Sequence, residues 1–90
     1  MLRQFSNPEE VKKKARYYKL NTVYESTRRN KKYMVCNDNG NWIHFGAMGY
    51  EDFTKHHDTT RLNAFRSRNR AWKHAPVYTP RWLSYFLLWD

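Results

Sequence analysis

Apolar and polar positions follow two rhythms along this chain of 90 residues, one helical and one extended. Val11, Ala15 and Tyr18 recur at i, i+4, i+7 within a basic run, a spacing that predicts a helix with one narrow apolar stripe. Asn7-Pro8-Glu9-Glu10 supplies its start: a capping Asn, Pro at the first helical position, and Glu10 placed to close a capping box. Both acids also sit at the positive end of the helix dipole. The pattern predicts an end near Leu20-Asn21, followed by a short extended piece at Thr22–Thr27.

The extended rhythm is clearest at Lys32–Asn37 and Asn41–Gly46, which flank Asn37-Asp38-Asn39-Gly40. Asn-Gly between two such runs predicts a hairpin closed by a type I′ turn. With Asn39-Gly40 as a two-residue loop, Cys36 faces Ile43 and Met34 faces Phe45 on an apolar surface. Val35 then faces His44 on the other surface, beside Tyr33 and Trp42. Two strands alone are marginal, so this hairpin requires cover on both sides.

A polar link, Tyr50–His57, leads to Asp58 or Thr59 as the cap of a second helix running to about Lys73. Leu62, Phe65 and Trp72 form its apolar seam, with Asn69 in the gap, and Arg66, Arg70 and Lys73 form a basic stripe beside it. Pro76 stops this helix. Thr79-Pro80 starts a last short one, with Trp82, Leu83, Phe86 and Leu87 on one face. Tyr85, Leu88 and Trp89 cover much of the rest, more apolar surface than one packing face requires. These elements predict a small α+β single domain, a β-hairpin packed against two or three helices. Residues 1–31 would form a basic N-terminal helix and linker, and 32–90 the hairpin–helix–helix core.

Composition narrows the class. A chain this short buries only about 60–65% of its unfolded surface, which excludes an enzyme with separate cofactor and substrate domains. Aromatics at 18% argue against a disordered basic tail. The single Cys36 leaves no internal disulfide framework and fits a reducing compartment. No apolar run follows Met1, so no secretory signal is expected. The longest apolar stretch, Trp82–Trp89, is far below the roughly 20 residues of a membrane span.

Charge then points outward. Lys+Arg number 17 against 8 Asp+Glu, a net +9, and residues 59–89 hold six basic side chains and no acid. Without acids, Arg61, Arg66, Arg68, Arg70 and Lys73 lack the usual i,i+4 partners, and their geometry suits phosphate or carboxylate. Lys12, Lys13 and Arg16 are a weaker candidate for the same role. If these cations serve only a partner, replacing Arg66 and Arg70 together by Glu should abolish binding with little change in melting temperature. Trp82, Phe86 and Trp89 are candidates for docking into a neighbouring protein, with a core helix as the plain alternative.

The histidines invite a ββα-metal nuclease reading, since a hairpin followed by a helix has that outline. It requires a general-base His on the hairpin and a metal ligand on the helix aimed at one pocket, and the second helix has no His before His74. Adjacent His56 and His57 in an extended segment face opposite ways. His44, Asp52, His56 and Asp58 are therefore expected to form a structural polar cluster. Cys36 is expected on the apolar face as a small hydrophobe. No catalytic residue, metal, cofactor or small-molecule substrate is expected.

Several stretches carry a resemblance. Lys32-Tyr33-Met34-Val35, Ile43-His44-Phe45-Gly46 and Gly49-Tyr50-Glu51-Asp52-Phe53-Thr54-Lys55-His56 continue through Asp58, Arg61 and Arg68 to Trp82-Leu83 and Leu87-Leu88-Trp89. Over Tyr33–Trp89 the chain resembles small basic proteins encoded by large and giant double-stranded DNA viruses. Those proteins run on past the final tryptophan, whereas this sequence stops at Asp90, and the N-terminal basic helix is peculiar to it. The resemblance implies a virion-associated protein with no enzymatic activity to carry over, found in the virion and, during assembly, in host cytoplasm or nucleus. The leading expectation is a non-enzymatic minor capsid or capsid-lining protein that contacts acidic surfaces of other virion proteins. The alternative is a DNA-binding accessory of genome packaging, with a metal-dependent nuclease a distant third.

Overall fold

The structure is a computed structural model describing all residues, Met1–Asp90. Asn7 caps α1, Pro8–Tyr17, and its side chain accepts a 3.4 Å hydrogen bond from the Glu10 amide. The capping box is only half closed. The Asn7 amide donates instead to Thr54 Oγ1 at 2.9 Å, and the Glu10 carboxylate turns to Lys14 and His57. Val11 and Ala15 are buried along the expected stripe, and Tyr18 packs against the same core. The helix closes earlier than the pattern suggests, because Lys19 adopts φ 59. Its amide reaches Arg16 O at 3.0 Å and that of Leu20 reaches Ala15 O at 2.9 Å, the paired bonds of a Schellman closure.

The extended piece becomes a third strand. β1 (Val23–Glu25), β2 (Lys31–Cys36) and β3 (Trp42–Ala47) form an antiparallel sheet in that order. The register differs by one residue from a two-residue Asn-Gly loop: Tyr33 opposes Phe45, Met34 opposes His44, Val35 opposes Ile43 and Cys36 opposes Trp42. The turn explains the slip. Gly40 N donates to Asn37 O at 3.1 Å, Asn37 N to Asn41 O at 2.8 Å, and Gly40 sits at φ 84. This is a three-residue loop with a left-handed glycine at its bulge, held by the Asn37 side chain, which accepts from the amides of Asn39 and Asn41. A slip of one residue exchanges the faces. Tyr33, Val35 and Phe45 are fully buried together, while Met34, Cys36, Trp42 and His44 share the opposite face. Cys36 therefore lies away from the apolar core.

The link after β3 holds a short helix, α2 (Phe53–His56), capped by Asp52. Asp58 caps α3 (Thr59–Arg68) by accepting from the amides of Thr60 at 3.0 Å and Arg61 at 3.2 Å. The second helix stops short of Lys73. Asn69 folds its side chain back onto Phe65 O at 3.0 Å, competing with the backbone for that carbonyl, and Arg70–His74 continue only as a tight 3-10 turn. Thr79 caps α4 (Pro80–Leu83), which widens into a π-helical turn over Ser84–Leu88.

One core joins the chain from end to end: Leu2, Val11 and Ala15, then Val23, Tyr33, Val35 and Phe45, then Leu83, Leu87 and Leu88. No boundary falls at residue 31, since α1 and β1 contribute to this core as fully as β2 does. Burial of each large apolar side chain contributes about 1.5–3 kcal/mol. Gly46, at φ 82, lies where a Cβ would come within 2.9 Å of Leu88 Cδ1, so the last apolar segment seats directly on β3 backbone. The molecule is a small α+β domain, and no helix is long and apolar enough to cross a membrane.

Candidate functional site: unpaired cations around a buried ion pair

Five of the 17 Lys+Arg side chains lie within 4.0 Å of a carboxylate: Arg3, Lys14, Lys32, Arg61 and Arg66. Lys12, Lys13, Arg16, Arg68, Arg70 and Lys73 have no such partner and are exposed. Arg61 meets Glu51 at 3.8 Å with both groups solvated, so it remains largely available. The basic stripe of the second helix is split where the helix ends. Arg68, Arg70 and Lys73 face solvent around the Asn69 break, while Arg66 is drawn onto the fold.

Arg66 lies 4.4 Å over the ring of Tyr85 and 3.4 Å from the Asp90 carboxylate. A cation held over a buried ring and beside an acid stabilises the fold, and the expectation that its replacement leaves melting nearly unchanged does not survive this geometry. Asp90 serves the other basic helix too, since Lys14 Nζ donates to its main-chain oxygen at 2.6 Å. The two basic zones of the sequence are thereby brought together at Asp90, with Lys13 lining the same groove.

The aromatic C-terminal segment packs on its own chain. Leu83, Tyr85, Leu87 and Leu88 are buried. Trp89 stacks on Phe65 at 4.3 Å with ring planes 6° apart, and Trp82 lies edge-on to Tyr18 at 5.3 Å and against Phe86 at 4.6 Å. Trp82, Phe86 and Trp89 keep part of their surface, but they do not project as a separate docking helix. The surplus apolar faces are consumed by α1, α3 and β3 together.

The expected polar cluster divides into three. Asp52 is buried, accepting from the Thr54 amide at 3.0 Å and from its hydroxyl. Asp58 caps α3, and its amide donates to His56 Nδ1 at 2.9 Å. The other nitrogen of His56 is buried without a partner, and its ring lies 5.3 Å from that of Trp89; desolvation, then Arg61, holds this imidazole below its ordinary pKa. His44 stands apart on the open sheet face, 2.7 Å from the Ser26 hydroxyl. Nowhere do three or more His, Cys, Asp or Glu side chains gather closely enough to hold a metal ion.

The principal feature that sequence reading missed is Lys32, a strand lysine only 2% exposed. Its ammonium donates to Asp52 Oδ2 at 3.0 Å, to Tyr50 O at 2.6 Å and to Phe5 O at 3.4 Å. Ser6 and Thr54 hydroxyls meet at 3.1 Å, and the Tyr33 hydroxyl donates to Ser6 Oγ at 2.7 Å. Burial outweighs the Asp52 charge and pulls the Lys32 pKa below the usual lysine range, while burial raises that of Tyr33. Every strong group of this network is satisfied, the condition under which buried charge is tolerated. The available signal was a lysine inside an apolar strand together with a capping Asp-x-Thr at residues 52–54.

The chain belongs to a family of unknown function, DUF5754, whose profile matches residues 21–69. That stretch carries the whole sheet, the buried Lys32–Asp52 pair and α3. No curated protein and no solved structure matches the chain.

Proposed function

We propose that this chain is a non-enzymatic nucleic-acid-binding module that engages phosphates through the unpaired cations of α1 and of the α3 end. The observation that carries this reading is that Lys12, Lys13, Arg16, Arg68, Arg70 and Lys73 have no carboxylate within 4.0 Å while the buried Lys32 is fully partnered. Cations that the fold itself requires are given acids or rings, and those left over repel one another until a polyanion approaches. In the viral setting that the resemblance implies, this is an accessory role in genome packaging, exercised in the virion and during assembly in the host cytoplasm or nucleus. The minor-capsid reading shares the same cations, with acidic protein surfaces as the target. It is weakened because Trp82, Phe86 and Trp89 are occupied within the chain.

Salt dependence tests the reading. Six phosphate contacts give a log–log slope of about −5 on duplex DNA. Weak DNA affinity, together with co-sedimentation with capsid shells in high salt, would favour the capsid role instead.

A further inference from the structure

The outer face of the sheet is covered at one end, where Lys32 is buried and Leu88 packs on Gly46, and open around Tyr24 and Trp42. Tyr24 on β1 and Trp42 on β3 meet edge to face across β2, ring centroids 6.0 Å apart and planes 64° apart, and each keeps 49% of its surface exposed. Neither belongs to the apolar core, and His44 lies on the same face. A small domain that spends so many aromatics on its interior gains little stability from leaving these in water.

Cations gather at one end of this sheet, in the β1–β2 turn. The Ser26 hydroxyl accepts from the Arg28 amide at 2.9 Å and meets His44 Nδ1 at 2.7 Å, which ties the β1–β2 turn, with Arg28, Arg29 and Lys31, to this end of the sheet. Desolvation first, then the positive charges of Arg28 and Lys31, holds His44 below its ordinary pKa. None of the three cations meets a carboxylate within 4.0 Å. Of the nearby acids, Glu25 lies on the opposite face of its strand, opposing Tyr33, and Asp38 lies in the hairpin loop at the Trp42 end of the sheet, where the Asn21 side chain donates to it.

We infer that the open sheet face is a stacking platform for single-stranded nucleic acid, with bases laid on Trp42 and Tyr24 and the backbone drawn along Arg28, Arg29 and Lys31. Each half-exposed ring, inclined to the other, can take one unstacked base; this selects single strands because duplex bases already cover one another, and stacking tolerates any base since each has a π-face. The cations of the β1–β2 turn supply the charge complement. This inference rests on the nucleic-acid reading and sharpens it: the helical cations read phosphates of either form, whereas the sheet distinguishes one strand from two.

The test uses the full chain and a labelled dT oligonucleotide of about 12 nucleotides, within the usual site size of such surfaces, beside a duplex of equal length. Trp42→Ala is expected to weaken the single-strand complex about tenfold, Tyr24→Ala somewhat less, and Trp42→Phe little. Duplex affinity should change less than about twofold in all three, because phosphate contacts do not read base faces. Arg68→Ala with Arg70→Ala should weaken both complexes. Unchanged single-strand affinity in both alanine variants overturns the platform while leaving duplex binding and the broader reading intact. Poly-glutamate bound as tightly as the oligonucleotide also overturns it, in favour of an acidic protein. A chain that binds neither nucleic acid overturns both readings at once. Near-UV circular dichroism of each variant identifies any loss of folding, and Tyr24→Ala carries the test if Trp42→Ala unfolds.

Discussion

Tyr33, Val35 and Phe45 lie beneath α1 and α4 with no exposed surface, whereas Tyr24 and Trp42, one residue out of phase, keep 49% of theirs. The covered face is closed by helix residues Val11, Ala15, Leu83 and Leu87, and its one polar tip, the Tyr33 hydroxyl, enters the Ser6–Thr54–Asp52–Lys32 network. Around Tyr24 and Trp42 the other face has no such closure. Cations follow the same division. Lys32 and Arg66 are matched within the chain, and Arg68, Arg70 and Lys73 are not.

The sharpest way to break this comparison is a pair of truncations across the sheet. Phe45→Ala should cost about 3–5 kcal/mol through lost transfer energy and a cavity, while Trp42→Ala should cost less than about 1 kcal/mol, through loss of the Tyr24 edge contact. Urea unfolding of both variants measures the difference, and equal losses would mean that the outer face is packed after all. Next in size is the buried pair. Asp52→Asn leaves Lys32 with two carbonyls and no counter-charge, an expected loss of about 3 kcal/mol, partly recovered when Lys32→Met is added. A double-mutant cycle followed by thermal melting reads that coupling, and additive losses would show the two side chains acting independently. The smallest contrast separates the two kinds of arginine. Arg66→Ala should lose about 1–2 kcal/mol with its ring and carboxylate, and Arg70→Ala should stay within about 0.5 kcal/mol. Equal melting curves for these two variants would return Arg66 to the free surface.

Local structure was legible wherever a short motif carries its own chemistry. Asn7-Pro8, Asp58 and Thr79-Pro80 cap the helices they were expected to cap, and Val11 and Ala15 face inward at the predicted spacing. The hairpin was legible but its register was not. Asn37-Asp38-Asn39-Gly40 supports both a two-residue loop and a three-residue loop with Gly40 at the bulge, and only the second puts Val35 and Phe45 on one face, in the core. The second helix was overextended because nothing in the periodicity announces that Asn69 will bond back to Phe65.

The fate of each charge and each surplus aromatic lay outside the reach of pattern. Lys32 and Arg70 look alike in the sequence, and only the arrival of Asp52, Tyr50 and Phe5 from distant segments buries one and not the other. Trp89 likewise becomes packing material through Phe65, a residue 24 positions away. By itself the sequence determined the kinds of element, their caps, the α+β class and the large excess of positive charge, because these follow from neighbours a few residues apart. Tertiary structure alone decided which face of the sheet is covered and which cations are neutralised, because burial and pairing depend on groups that meet only once the chain has closed on itself.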